Sequence, residues 1–122
     1  MYLTEILTIL NADNRLPQIY AYEAKQPTAT NFIVYNTATL SNNRAIRADY
    51  LKFNITANTY ASCLDYAEYI REDILTLGDA GLSVNILKVA EGSGSMNYND
   101  EQGYPHVIIS FTITSRANLT IS

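Results

Sequence analysis

The stretch Asp49-Tyr50-Leu51-Lys52-Phe53-Asn54-Ile55-Thr56-Ala57-Asn58-Thr59-Tyr60, continued to Leu77, decides the fold class. From Tyr50 to Ala57 apolar and polar residues alternate. Leu51, Phe53, Ile55 and Ala57 fall on one face, and Tyr50, Lys52, Asn54 and Thr56 on the other. That is the period of a half-buried strand. After Asn58-Thr59 the period changes. Tyr60, Cys63, Leu64, Ala67, Ile70, Ile74 and Leu77 recur at three- and four-residue steps, a helical stripe that packs a core. Asn58 or Thr59 suits the N-cap, and Gly78 stands where a left-handed C-cap glycine belongs. The spacing predicts a helix from Thr59 to about Leu77, a rod of roughly 28 Å for about 19 residues. Asp65, Glu68, Arg71, Glu72 and Asp73 form its solvated outer face.

Working outward, Leu3, Ile6, Leu7 and Leu10 form a shorter helical stripe with Glu5 in its first turns, where the helix dipole favours an acid. Pro17 prevents that helix from resuming. Ile19 to Tyr22 reads as a short extended piece, Glu23 to Thr30 as a connector, and Phe32-Ile33-Val34-Tyr35 as a strand. Thr39 to Ala48 is polar, carries two arginines and reads as a loop longer than a tight hairpin needs. Beyond the long helix, a strand is expected from Leu82 to Glu91, a flexible low-apolar loop from Gly92 to Gly103, and a last strand over Val107 to Thr114. Ala117 to Ser122 is left as a tail. One face of the last strand is apolar and the other mixes Ile108 with Ser and Thr, as in a sheet covered by helices on one side only. The expectation is an α+β fold in one domain, 1–122. Its mostly antiparallel four-stranded sheet has helices packed on one face, in the order α-β-β-α-β-β.

A chain of 122 residues suffices for one hydrophobic core. Its formal charge of −4, with eight Lys+Arg, disfavours a grip on nucleic-acid phosphates. An acidic wall past which DNA slides suits this balance better. Only 16% of residues are charged, which fits a subunit that meets other subunits. The N-terminus shows no basic region followed by an apolar run, and no apolar stretch reaches the roughly 20 residues of a membrane span. A reducing cytoplasm is therefore the expected place of synthesis.

The chemistry-bearing residues are sparse. Cys63 is the single cysteine, on the apolar stripe, and reads as a buried small hydrophobe. His106 is the single histidine, so it has no partner for a typical zinc site, and no nucleophile motif accompanies it. Asp100 and Glu101 are adjacent acids in the expected loop rather than a pair placed across a substrate. No phosphate-cradling glycine motif occurs. No cofactor, metal or catalytic residue is expected. The ten tyrosines suit protein interfaces better than base stacking, because the chain lacks the basic aromatic strand and the element order of an RNA-binding sheet.

Three segments carry a resemblance: Phe32 to Tyr35 after a proline-containing connector, Leu51 to Tyr60 leading into Ala67 to Leu75, and Tyr98 to Ile113. Together they resemble the tail terminator (tail completion) proteins of long-tailed bacteriophages and prophages, over most of the chain from about Phe32 to Thr114. The resemblance implies a structural virion protein made in the host bacterial cytoplasm. It would assemble with itself as a ring, usually a hexamer, at the head-proximal end of the tail tube. The ring would stop tube growth, contact the major tail tube protein and the head–tail connector, and let DNA pass its lumen without specific binding. Asn42, Asn43, Arg44 and Arg47 in one loop, and Met96, Tyr98, Asp100, Glu101 and Tyr104 in the other, are the candidate interface residues. A head-closure or neck adaptor is the alternative within that reading. A ligand-binding enzyme using His106 and a small nucleic-acid-binding module are the alternatives outside it.

Overall fold

The computed structural model describes residues 2–21, 31–42, 45–78, 85–92 and 96–116. Asn43, Arg44, the start of the strand expected from Leu82, the connector 23–30, the glycine-serine residues 93–95 and the tail 117–122 lie outside these. Along the described residues the order is α1 (Tyr2–Ala12), β1 (Ile19–Ala21), β2 (Phe32–Asn42), β3 (Ile46–Thr56), α2 (Tyr60–Ile74), β4 (Ile86–Glu91), β5 (Met96–Asn99) and β6 (Pro105–Arg116).

The two helices and the mostly antiparallel sheet agree with the expected class, but the sheet has six strands rather than four among the described residues. The lateral order is β1-β2-β3-β6-β4. β5 pairs with Pro105–Ile108 of β6, and β4 with Phe111–Ser115 of the same strand. Since the other edge of β6 is taken by β3, β4 and β5 lie on the same side, one after the other. β1 joins β2 in parallel, Ile19 opposite Ile33. Of the two added strands, β1 realises the short extended piece expected at Ile19 to Tyr22, and β5 falls in what reads as a loop. Both are short and held by backbone hydrogen bonds to a longer neighbour, and the side chains of β5, all exposed, need no period.

The stretch from Thr39 to Ala48 is not a long loop. β2 continues through Asn42 and β3 begins at Ile46, with a bulge between Thr39 and Ser41. From Thr37 onward both faces of β2 are exposed, so the strand carries no hydrophobic alternation there. Likewise Met96–Asn99, expected within a flexible loop, is strand β5, exposed at all four residues.

The alternation in β3 is realised as expected: Leu51, Phe53, Ile55 and Ala57 are wholly buried. Leu51, Phe53 and Ile55 stand opposite Phe111, Ile109 and Val107 of β6 in the antiparallel ladder, and the Phe53 and Phe111 rings meet edge to face at 6.0 Å. Both helices cover this face. α1 contributes Tyr2, Ile6 and Leu10; α2 contributes Cys63, Ala67, Ile70 and Ile74. Each large apolar side chain so buried stabilises the fold by about 1.5–3 kcal/mol.

α2 departs from its expected extent and phase. Thr59 is the N-cap, its Oγ1 accepting from the Ser62 amide at 3.2 Å, but the helix ends at Ile74 and Leu75 is a right-handed C-cap. Gly78 is therefore not a left-handed cap. It is glycine because β4 passes against it: a Cβ there would stand 2.6 Å from the Lys88 Cα. Tyr60 and Leu64, assigned to the core stripe, are 45% and 44% exposed. Successive helical residues are about 100° apart, so Leu64 lies a full residue step from the buried Cys63 line. Tyr60, one turn before Leu64, lies on the same side of that line and turns instead to Asn97 of β5, whose amide donates to its hydroxyl at 2.7 Å.

Candidate interaction surfaces

The register separates the candidate interface residues into two groups. Asn42 pairs with Arg47, and Arg47 with Ser115, at one end of the β3–β6 ladder. Tyr98 pairs with His106, and His106 with Thr56, at the other. The nine-residue separation of Arg47 and Thr56 along β3 is about 30 Å. No single patch holds both groups; the molecule has two poles.

At the first pole Arg47 and Asp49 are turned toward each other. Arg47 Nε donates to both carboxylate oxygens of Asp49, at 3.0 and 2.8 Å, and its Nη2 donates to Thr39 Oγ1. Asp49 is 1% exposed and also accepts from Thr39. The Arg47 guanidinium is held further in its charged form by that bond. Burial, and then the neighbouring Asp49 carboxylate, push the Tyr2 phenol up to about 12. Arg47 is thus a strut between β3 and β2 as well as a surface residue. Among the described residues this pole presents outward Asn42 and Arg116, both exposed, and the apolar side chains of Leu40 and Ile46, 57% and 43% exposed.

The second pole is built by the β5–β6 turn. Asp100 Oδ1 accepts from the amides of Gln102 and Tyr104, and its Oδ2 lies 2.8 Å from His106 Nε2. Gly103 takes a φ of 87°, the left-handed turn conformation that glycine adopts without strain. The His106 bond, then the two amides, hold the Asp100 carboxyl below the usual range against a smaller opposing effect of burial. His106 Nδ1 lies 2.9 Å from both Thr56 Oγ1 and Asn54 Oδ1. Tyr98 stacks on the imidazole at 4.5 Å and accepts from the Asn54 amide nitrogen. Met96, 60% exposed, Tyr98, 42% exposed, and the exposed Glu101 form the outward surface, with Tyr104 half-buried beside them.

An acid, an imidazole and a hydroxyl in contact have the composition of a nucleophilic triad. Their placement is not that of one. Thr56 is 3% exposed, so its hydroxyl offers no line of attack on a substrate carbonyl, and it joins His106 in tying β3 to β6. Cys63 is equally enclosed: its thiol reaches the carbonyls of Ile55 and Pro105, and burial pushes its pKa up. Among the described residues no group of three or more His, Cys, Asp or Glu side chains is arranged to hold a metal ion, and no helix is long and apolar enough to cross a membrane.

Two uncharged sheet edges complete the surface. Beyond the β1 pairing, Thr37-Ala38-Thr39-Leu40-Ser41-Asn42 of β2 has no strand on its outer side among the described residues; nor does Met96-Asn97-Tyr98-Asn99 of β5. Neither edge carries the lysine, proline or acidic residue that commonly protects such strands from pairing with another chain. They lie on opposite sides of the sheet, and each bears one of the two most exposed large apolar side chains, Leu40 and Met96.

The fold has a counterpart in a virion. Over 92% of both chains the protein superposes, with a TM-score of 0.68, on a chain from the virion of the native gene transfer agent (GTA) particle. Sequence identity is 12%, so the likeness is one of fold. No protein-family model and no curated protein sequence matches the chain.

Sequence reasoning brought forward Tyr98, Asp100 and His106 but not Asn54 and Thr56, which complete their cluster from the polar face of β3. The signal available was the polar alternation of β3 itself, which marks both residues as facing away from the helices without saying what they meet. Arg47 was visible as a charge, and its capture by Asp49 two residues on was not.

Proposed function

We propose that the chain is a structural virion protein of a phage or prophage, a tail-terminator-like subunit. It forms a ring at the head-proximal end of the tail tube, stops tube growth and offers the surface that joins the head. The observation that carries this reading is the fold shared, nearly end to end, with a chain of a virion particle. The surface chemistry supports it. Two uncharged strand edges on opposite sides of one sheet suit a heterologous contact, in which one side of a copy meets the other side of the next. Such a contact generates a ring when its rotation closes. The two poles, about 30 Å apart along the strands, give such a ring separate surfaces for the tube and for the connector. With a formal charge of −4 the chain provides no strong cationic grip on DNA passing its lumen. On this reading the chain works through contacts and not through catalysis.

Deletion of the gene from its phage or prophage, followed by negative-stain microscopy of the lysate, tests the proposal. Tails of uncontrolled length lacking heads are expected. Tails of normal length beside unjoined heads would make the chain a neck adaptor instead, and normal infectious particles would end the virion reading. In the purified protein, Leu40→Asp and Met96→Asp place a charge on either edge. Each is expected to abolish ring assembly on tube ends while leaving the monomer folded.

A further inference from the structure

We propose that β5 is the acceptor strand of a sheet continued between copies, its outer edge taking Thr37–Leu40 of the next copy's β2 in antiparallel pairing. The inference rests on the ring reading above and adds which strands meet, in what direction and on which anchors. Six large apolar side chains are exposed among the described residues, and they fall in two places. Met96 and Tyr98 project from β5 on the face away from the helices. Tyr60, bonded to Asn97 of the same strand, and Leu64, one turn further along α2, stand over its other face. The remaining two, Leu40 and Ile46, lie at the far end of β2 and the start of β3. A strand edge flanked by aromatic and apolar side chains on both faces has the build of a strand-addition site. Backbone hydrogen bonds there supply affinity, and the flanking side chains supply selectivity.

Direction follows from the ladders. β5 runs antiparallel to β6, β6 to β3 and β3 to β2, so β5 and β2 run in opposite directions. A neighbour that continues the sheet with its helices on the same side therefore brings an antiparallel β2 to β5. The four residues of β5 match Thr37 to Leu40, the last being the extra residue of the β2 bulge. In that register Met96 stands opposite Leu40 and Tyr98 opposite Ala38, apolar against apolar. On the other face Asn97 and Asn99 stand opposite Thr39 and Thr37, amide against hydroxyl. The charges are complementary as well. Asp65 and Glu101 are exposed around the acceptor, while Arg47 and Arg116 stand at the β2–β3 end, where Asp49 is buried. β4, the other strand on the acceptor side, carries Lys88 and Glu91, charges that disfavour edge pairing, and none of the six exposed apolar side chains. Within one copy Met96 is level with Val34, through Ile108 and Asn54. Placing it opposite Leu40 shifts the neighbour by about six residues, roughly 20 Å, along the strands. A closed ring does not climb, and about four strand spacings of about 4.8 Å separate successive copies. The strands must then lean by roughly 45° to the ring axis, near the tilt of strands in closed sheets.

Disulfide trapping in purified phage or prophage particles tests the pairing. The native cysteine, Cys63, is buried and takes no part. Particles whose chain carries Thr37→Cys together with Asn99→Cys, mildly oxidised and run on a non-reducing gel, should give a series of linked copies ending at the closed ring. Either substitution alone should give single copies. Thr37 and Glu91 are level through Leu51 and Phe111, so they would be opposed if neighbours met through β4 without the shift. Thr37→Cys with Glu91→Cys should therefore stay unlinked. Particles that hold the chain but show no linkage between positions 37 and 99, or show it between 37 and 91, overturn the strand pairing and leave the ring reading standing. Particles that lack the wild-type chain end both. Leu64→Asp keeps the question open to test if the double variant does not fold. It should lower incorporation into particles by about tenfold while the purified chain melts as the wild type does, and undiminished incorporation overturns the proposal.

Discussion

The two faces of β3 belong to the same eleven residues and behave as different materials. On the helix-covered face Leu51, Phe53 and Ile55 are wholly buried among apolar side chains. On the open face Tyr50, Lys52 and Asn54 are only half-buried, and their neighbours are hydrogen-bonding groups. The first face holds the fold together through close packing, where every methylene counts. The second leaves side chains free to be arranged for contact. One strand thus supplies stability on one side and specificity on the other.

Breaking the covered face should cost most. Phe53→Ala removes a ring that meets Phe111 at 6.0 Å and should lower unfolding free energy by about 4 kcal/mol in urea titrations. A loss under about 1 kcal/mol would mean the two faces differ less than their burial indicates. Gly78→Ala should follow. Its Cβ would lie 2.6 Å from the Lys88 Cα and 2.8 Å from the Leu87 carbonyl oxygen, both backbone atoms that cannot swing aside. A loss of about 2 kcal/mol is expected, and Gly78→Ser should do no better.

The junction of the two helices gives a smaller, pH-dependent effect. Arg15 donates to Asp13 and Glu72 and lies 4.2 Å over the Tyr69 ring, while Asp73 beside them is 16% exposed. Burial, then the bond to Asp13 and that carboxylate's charge, push Asp73 up to about 7. Asp13 is held low, chiefly by Arg15. The folded chain thus keeps a proton on Asp73 that the unfolded chain loses near pH 4. Stability from this group is present at low pH, falls as pH rises, and is gone above about 7. Asp73→Asn needs no proton there and should raise stability by about 1 kcal/mol at pH 8 with little change at pH 5; thermal melts at both values check it. An equal gain at both would show that Asp73 does not titrate in this range. At the bottom of the scale, Lys52→Ala on the open face should change stability by less than about 0.5 kcal/mol, measured beside Phe53→Ala.

The legible parts of the molecule are those with a buried side. α1, β3, α2 and β6 each present a stripe or an alternation, and each lies close to where its period places it. The errors of detail have local causes. Tyr60 and Leu64 share the helical spacing of the stripe, yet both lie to one side of the line of Cys63, Ala67, Ile70 and Ile74 that the sheet covers, and spacing alone does not mark the centre of a stripe. Gly78 looks the same in sequence whether it caps a helix or admits a neighbouring strand.

The candidate site was legible in part. Tyr98, Asp100 and His106 were visible as polar and aromatic residues near the last strand. Asn54 and Thr56 reach His106 across 52 and 50 positions of the chain, a closeness set by the β3–β6 register. The outer half of β2 and all of β5 left no trace, because no side chain on them is buried.

By itself the sequence determined most of the residues that enter the core and that a sheet would carry helices on one side, since burial imposes a period that can be read along each element. Only the tertiary structure decided how its strands are ordered, which strand edges stand open among the described residues, and that one histidine closes a contact among three elements. Backbone hydrogen bonds are made by every residue type alike, and a strand that buries nothing writes no pattern.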